Sequence, residues 1–239
     1  MADRPAAAAI ALPLSPPTTG LVYGAILNDR ASLEIYGARM QQPPHGKAPA
    51  APVLYVKPYN THVGHGASVA LPAGADRAEI GATLGIVFGS TCSRVTEATA
   101  FEAVAGYTVA IDLSLPKKDL YRPPIEEKCF DGACPIGPRV VEREVVADPD
   151  QLEIRTWING ALRHTRSTID LVRSIPRLIA DVSEFMSFYP GDVLLVGYPL
   201  DVPTATAGDA IAVEIDGIGR LECTLEQATA PAGSSEGGR

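Results

Sequence analysis

Apolar residues recur along this chain in short runs separated by turn residues. Residues 21–27 end at Asn28-Asp29, residues 53–57 stop at Pro58, and residues 67–71 run into Pro72-Ala73-Gly74. Runs of this length, bounded by turn formers, predict strands. A longer run over 78–88 stops before Gly89, and another over 107–112 ends on Asp112. Residues 139–145 and 152–158 follow, and Asn159-Gly160 after the second predicts a tight hairpin. Pro190-Gly191-Asp192 turns the chain into a strand at 193–196. A last hairpin pairs 210–215 with 220–224 through Asp216-Gly217-Ile218-Gly219. Residues 41–52, rich in Pro, Gly and Ala, predict a loop.

Helical spacing is confined to two places. Thr96 can cap a helix to about residue 104, with Phe101 and Val104 on one face. The clearer helix starts near Ser167, where Asp170 three residues on suggests a capping box. Its apolar stripe is Leu171, Ile175, Leu178, Ile179, Val182, Phe185 and Met186, with Pro176 as a kink or break. Strands outnumber helices and do not alternate with them. The expected class is therefore α+β, mainly β: a curved sheet or roll with a few peripheral helices.

Composition refines this picture. With 239 residues, 46% of them hydrophobic, one domain with a substantial core is expected. The expected division is a disordered leader at 1–17, a small strand-and-loop segment at 18–52, the main domain at 53–226 and a flexible tail at 227–239. A net charge of -8 argues against nucleic acid as the main partner. The apolar stretch at 6–12 is shorter than a secretory signal requires, and no run reaches the length of a membrane span. Four scattered cysteines imply no disulfide framework, so a reducing cytoplasm is the expected compartment. Cys129 and Cys134 lack a second Cys/His pair for zinc. His62 and His65 lie in a Gly-rich turn, and His45 and His164 are expected on the surface.

Candidate chemistry gathers between residues 106 and 132. An apolar strand delivers Asp112, and the following loop supplies Tyr121, Arg122, Lys128 and Asp131. Such a set can hold a small, multiply charged acid. Arg122 can clamp a carboxylate bidentately beside Tyr121, and Lys128 can stabilise an enolate. Each residue also has a plainer reading. Asp112 can cap a turn, Lys128 can form a surface ion pair, Tyr121 and Arg122 can pack the loop, and Asp131 can orient Lys128 or its loop.

Several short motifs occur in one order: Gly106-Tyr107-Thr108, Lys128, Pro135-Ile136-Gly137-Pro138, Asn159-Gly160, Ser183-Glu184-Phe185, Pro190-Gly191-Asp192-Val193 and Gly217-Ile218-Gly219. Over about residues 53–225 the chain resembles the fumarylacetoacetate hydrolase family. The resemblance implies that family's β-roll and a Mg2+ or Mn2+ ion held by two glutamates in an E-x-E pattern plus a later aspartate. Asp112 matches the aspartate, while Gly81-Ala82-Thr83 stands at the E-x-E, leaving an incomplete metal site. Ser32 and Ile35 stand where the family's lid carries a His and a Glu. Val196-Gly197-Tyr198-Pro199 stands at its Thr-Gly-Thr-Pro.

More narrowly, residues 114–135 resemble the N-terminal half of the bifunctional isomerase/decarboxylases of homoprotocatechuate (4-hydroxyphenylacetate) breakdown. That implies a carboxy-lyase with isomerase activity on 5-oxopent-3-ene-1,2,5-tricarboxylate and 2-hydroxyhepta-2,4-diene-1,7-dioate. Lys128 and Asp112 would be catalytic, and Tyr121, Arg122 and Asp131 would bind substrate. The implied partners are a di- or tricarboxylic 2-oxo acid and a homologous sister subunit or a second copy. A non-catalytic scaffold subunit and a diketo acid hydrolase are the alternatives.

Overall fold

The computed structural model describes residues 15–116 and 124–228, apart from 42, 44, 45 and 48. In chain order the strands are β1 (Val22–Ile26), β2 (Val53–Lys57), β3 (His62–Val63), β4 (Ala67–Leu71), β5 (Arg77–Phe88), β6 (Val104–Ser114) and β7 (Cys134–Glu142). They continue with β8 (Glu153–Ile158), β9 (Ala161–Ser167), β10 (Val193–Leu195), β11 (Thr204–Thr206), β12 (Ala210–Ile215) and β13 (Gly219–Gln227). The helices are α1 (Arg30–Met40), α2 (Ile125–Lys128) and α3 (Ile175–Ser183). The expected mainly β, α+β class is the one observed.

One sheet runs β2-β1-β10-β5-β6-β7-β3, with β11 on the other end of β5; the second runs β4-β13-β12-β8-β9. Strands β5 and β6 form the spine. Nearly every residue of both is buried, which is why each is written as a continuous apolar run rather than an alternation. By contrast β4 and β8 alternate buried with exposed or half-exposed positions, as half-solvated strands do. One apolar cluster joins the sheets, including Ile80, Leu84, Ile86 and Ile111 from the spine and Ile211, Val213 and Leu221 from the second sheet. Phe88 stacks on Phe188 at 4.2 Å, and Tyr23 meets Phe188 edge-on at 5.6 Å.

The helices depart from expectation. Only a single 3-10 turn, Ala100–Ala103, stands where a helix over 96–104 is predicted. Val104 already belongs to β6 and pairs with Phe88, so sheet pairing claims the end of that segment. The helix expected from Ser167 starts at Ile175 instead. Residues up to Ser167 are held as β9 against β8, and Pro176 falls in the first helical turn, where its missing N–H costs nothing. Helix α1 has no apolar stripe and escapes the pattern. Asp29 caps it, accepting from the Ser32 amide at 3.1 Å.

The buried Asp112 cluster as candidate active site

Antiparallel pairing of β5 and β6 sets Asp112 opposite Gly81. Its carboxylate is fully buried, which is tolerable only with complete compensation. Two lysines supply it. Lys57 Nζ lies 2.5 Å from Oδ1 and Lys128 Nζ 2.8 Å from Oδ2. The Tyr55 hydroxyl donates a very short hydrogen bond to Oδ2.

Lys57 closes β2, and Tyr55, two residues earlier, projects from the same face of that strand. The Lys57 ammonium also donates to the carbonyls of Leu113 (2.9 Å), Lys128 (2.7 Å) and Ala133 (3.0 Å). It is thereby fully committed to holding the loop around α2. Lys128, the last residue of α2, donates to Ser114 Oγ at 2.8 Å and Tyr198 Oη at 2.7 Å. Its ammonium also sits 4.3 Å from the Tyr55 ring centre and 5.1 Å from that of Tyr198.

Two ammonium groups face the Asp112 carboxylate, and the Glu79 charge also acts on Tyr198. Burial by itself would raise the Asp112 carboxyl, but Lys128 and Lys57 overcome it and hold it far below the usual range. Burial pulls Lys57 down against the opposing pull of Asp112. Burial, with the Asp112 charge next, raises both Tyr55 and Tyr198 well above the ordinary phenol, leaving neutral donors at pH 7. Burial also pushes the nearby Cys134 thiol up to about 12, which makes it a core residue rather than a nucleophile.

The donor set does not suit a divalent cation. Both oxygens of Asp112 are taken by lysines. A Cβ added at Gly81 would lie 2.5 Å from Tyr198 Cε1 and 2.8 Å from the Asp112 carbonyl oxygen, so the Tyr198 ring fills the space of a side chain there. Thr83 Oγ1 donates to the Gly197 carbonyl at 2.9 Å. Among the described residues no three His, Cys, Asp or Glu side chains gather as a metal site.

The structure brings Asp112 and Lys128 together and leaves Asp131 apart. Asp131 is exposed and accepts from Asn60 Nδ2 at 2.8 Å, while the same amide reaches the Cys129 carbonyl at 2.9 Å. Tyr121 and Arg122 lie outside the described residues, as does His45. Ser32 Oγ accepts from the Leu200 amide at 2.9 Å, tying α1 to the segment after Tyr198, and Ile35 is exposed. His62 Nε2 contacts the Lys57 carbonyl and His65 Nδ1 accepts from the Glu222 amide, so the two rings serve different strands. His164 is half-buried rather than on the surface. The pattern reading missed Tyr55, Lys57, Ser114 and Tyr198. One signal was present: a lysine ending the apolar run Val53-Leu54-Tyr55-Val56-Lys57, in step with Tyr55.

Comparison with known proteins places the fold among its relatives. The 4-hydroxyphenylacetate degradation bifunctional isomerase/decarboxylase of Salmonella dublin is 37% identical over 203 residues, which cover 85% of this chain and 46% of that protein. The chain spans about half the length of this and two like-named isomerase/decarboxylases of Escherichia coli. A solved 5-carboxymethyl-2-hydroxymuconate delta-isomerase from Mycobacterium smegmatis superposes with a TM-score of 0.77 at 32% identity, covering 91% of this chain and 83% of that one. A 2-hydroxyhepta-2,4-diene-1,7-dioate isomerase from Mycobacterium marinum gives 0.75 at 28% identity, covering 91% and 78%. The family model for the fumarylacetoacetate (FAA) hydrolase C-terminal domain matches residues 21–226, and this chain belongs to that family.

Proposed function

We propose that this chain is the first half, or first subunit, of an isomerase/decarboxylase for unsaturated 2-oxo di- and tricarboxylic acids. The substrates are 5-oxopent-3-ene-1,2,5-tricarboxylate and 2-hydroxyhepta-2,4-diene-1,7-dioate. The observation that carries this reading is the pair of ammonium groups around Asp112, with the half-exposed residue Tyr198 at its edge and the Tyr198 hydroxyl 2.7 Å from Lys128. The 37% match to an isomerase/decarboxylase supports it.

In decarboxylation the bond between the substrate and its carboxyl carbon breaks. Carbon dioxide leaves, and the electron pair spreads onto the 2-oxo oxygen as an enolate. The Lys128 ammonium, whose three hydrogens are engaged by Asp112, Ser114 and Tyr198, would turn from Ser114 to that oxygen, and the Tyr198 phenol would give the second donor to the developing negative charge. A proton then returns to carbon. Isomerisation uses the same enolate: the enol oxygen loses its proton and a carbon of the diene gains one. Asp112 keeps Lys128 in place, and Lys57 anchors both through the loop carbonyls. Tyr121 and Arg122 would bind a carboxylate of the substrate, and Asp131 would steady the loop through Asn60. Assay of the chain on the tricarboxylate, alone and with a homologous subunit, tests this. Turnover that survives EDTA and falls about 10²-fold or more in Lys128→Met is expected. No turnover in either setting overturns it.

A second reading is favoured by the Tyr198 ring standing where a side chain at position 81 would sit, together with the residue types at positions 83, 32 and 35. In it the chain is a scaffold half that packs against an active sister. Activity confined to that sister would support it.

A further inference from the structure

Strand β9 carries a buried cation of a different kind. Arg166 is only 7% exposed and pairs in register with Ile154 of β8. Its Nη1 donates to the Gly197 carbonyl at 2.7 Å and to the Ala82 carbonyl at 3.3 Å. The Gly197 carbonyl is the one that Thr83 Oγ1 also reaches. The guanidinium is therefore pinned beside Gly81-Ala82-Thr83, one residue from Tyr198 of the Asp112 cluster.

Nε and Nη2 of Arg166 are buried, and neither has a hydrogen-bond partner among the described residues. These two nitrogens point the same way and form the side-on fork that matches a carboxylate's two oxygens. Burial lowers the Arg166 pKa to about 10, offset in part by Asp29 and Asp170, so the group is charged at pH 7. Among the described residues no carboxylate lies within ion-pair distance of it. Asp29 Oδ1 is occupied by the Ser32 amide and hydroxyl, and the His164 ring, itself under the Arg166 field, adds no negative charge. A buried charge normally has its donors satisfied, and this one is anchored on one side only.

We propose that Arg166 is a specificity-determining residue whose Nε–Nη2 edge takes a second carboxylate of the acid bound at Lys128 and Tyr198. This rests on reading the Asp112 cluster as an acid site. Arg166 then selects 2-oxo dicarboxylates over 2-oxo monocarboxylates. Both nitrogens are closed to solvent, so the carboxylate reaches them by parting the side chains around them.

Calorimetric titration of the full chain with 2-oxoadipate and 2-oxohexanoate, a pair differing mainly in the terminal carboxylate, tests the assignment. Wild type is expected to prefer the diacid by about tenfold or more, the scale of one charge-assisted bidentate contact. Arg166→Gln should erase the preference and leave 2-oxohexanoate binding unchanged. Arg166→Lys, which keeps the charge without the fork, should keep part of the preference. It also serves if the glutamine variant does not fold. Three results overturn the proposal: no diacid preference in wild type, including no binding of either probe; a wild-type preference in a folded Arg166 variant; or equal weakening of both probes, as for a merely structural residue. Arg166-dependent diacid binding without turnover of the tricarboxylate would sink the proposed reaction and leave this assignment standing. Turnover together with an unchanged preference in Arg166→Gln would do the reverse.

Discussion

Asp112 on β6 and Glu214 on β12 each accept from two cations, and the resemblance ends there. Asp112 is sealed from water with Lys57 and Lys128. Glu214 meets Arg155 at 2.8 Å and Arg220 at 3.3 Å, with all three side chains between 23% and 40% exposed. Those partners stand directly across from it on β8 and β13, so the surface set reinforces strand register. Water and salt screen it, and such exposed pairs contribute roughly 0–1 kcal/mol. The buried set has no solvent to fall back on. Lys57 has every donor engaged, and both lysines are closed off with the one carboxylate they share. Burial thus turns the same chemistry from a register clip into a cluster whose charges depend on one another.

The sharpest way to break the comparison is Asp112→Asn. It strands two ammonium groups in the interior and should cost about 3–5 kcal/mol of unfolding free energy in urea melts. Wild type carries a matching acid dependence. Because the folded carboxyl is held far below its ordinary value, its stabilisation is fully present above the unfolded pKa of about 4 and fades as pH falls below that. Asp112→Asn should flatten that part of the acid profile.

Next in size is Tyr198→Phe. Under the proposed reaction it removes one donor to the enolate, so kcat should fall about 10²-fold or more. Stability should change by only about 1 kcal/mol, since the ring still fills the space beside Gly81. Gly81→Ala should be smaller still in free energy, costing about 1–3 kcal/mol because its Cβ meets the Tyr198 ring. Tyr198→Ala in the same chain should recover part of that loss, a coupling readable in a double-mutant cycle. Smallest is Glu214→Gln, at about 1 kcal/mol or less in low salt and close to nothing in 1 M salt. The Asp112→Asn penalty should keep most of its size in the same salt. Equal salt sensitivity of the two would erase the distinction drawn here.

The sheet was readable because strand pattern reports burial directly. β5 and β6 are covered on both faces and are continuously apolar, and the Asn159-Gly160 hairpin names its own turn. Helix starts were less readable because the signals compete. Ser167 ends β9 and caps only the 3-10 turn Thr168–Asp170, and Asp29 caps a helix that has no apolar stripe to announce it. Asp112 and Lys128 lie close in sequence and were found. Lys57 and Tyr198 were not, although both touch the same few atoms.

By itself the sequence determined the runs of extended chain and the order of the family motifs. Those are local facts, written in residue type and spacing. Only the tertiary structure decided that β2 delivers a second lysine to Asp112, that the Tyr198 ring fills the vacancy at Gly81, and that Arg166 is pinned beside it with one edge free. Those contacts depend on which strands pair and in what register, and that choice is made by burying the two sheets against each other rather than by any residue's neighbours in the chain.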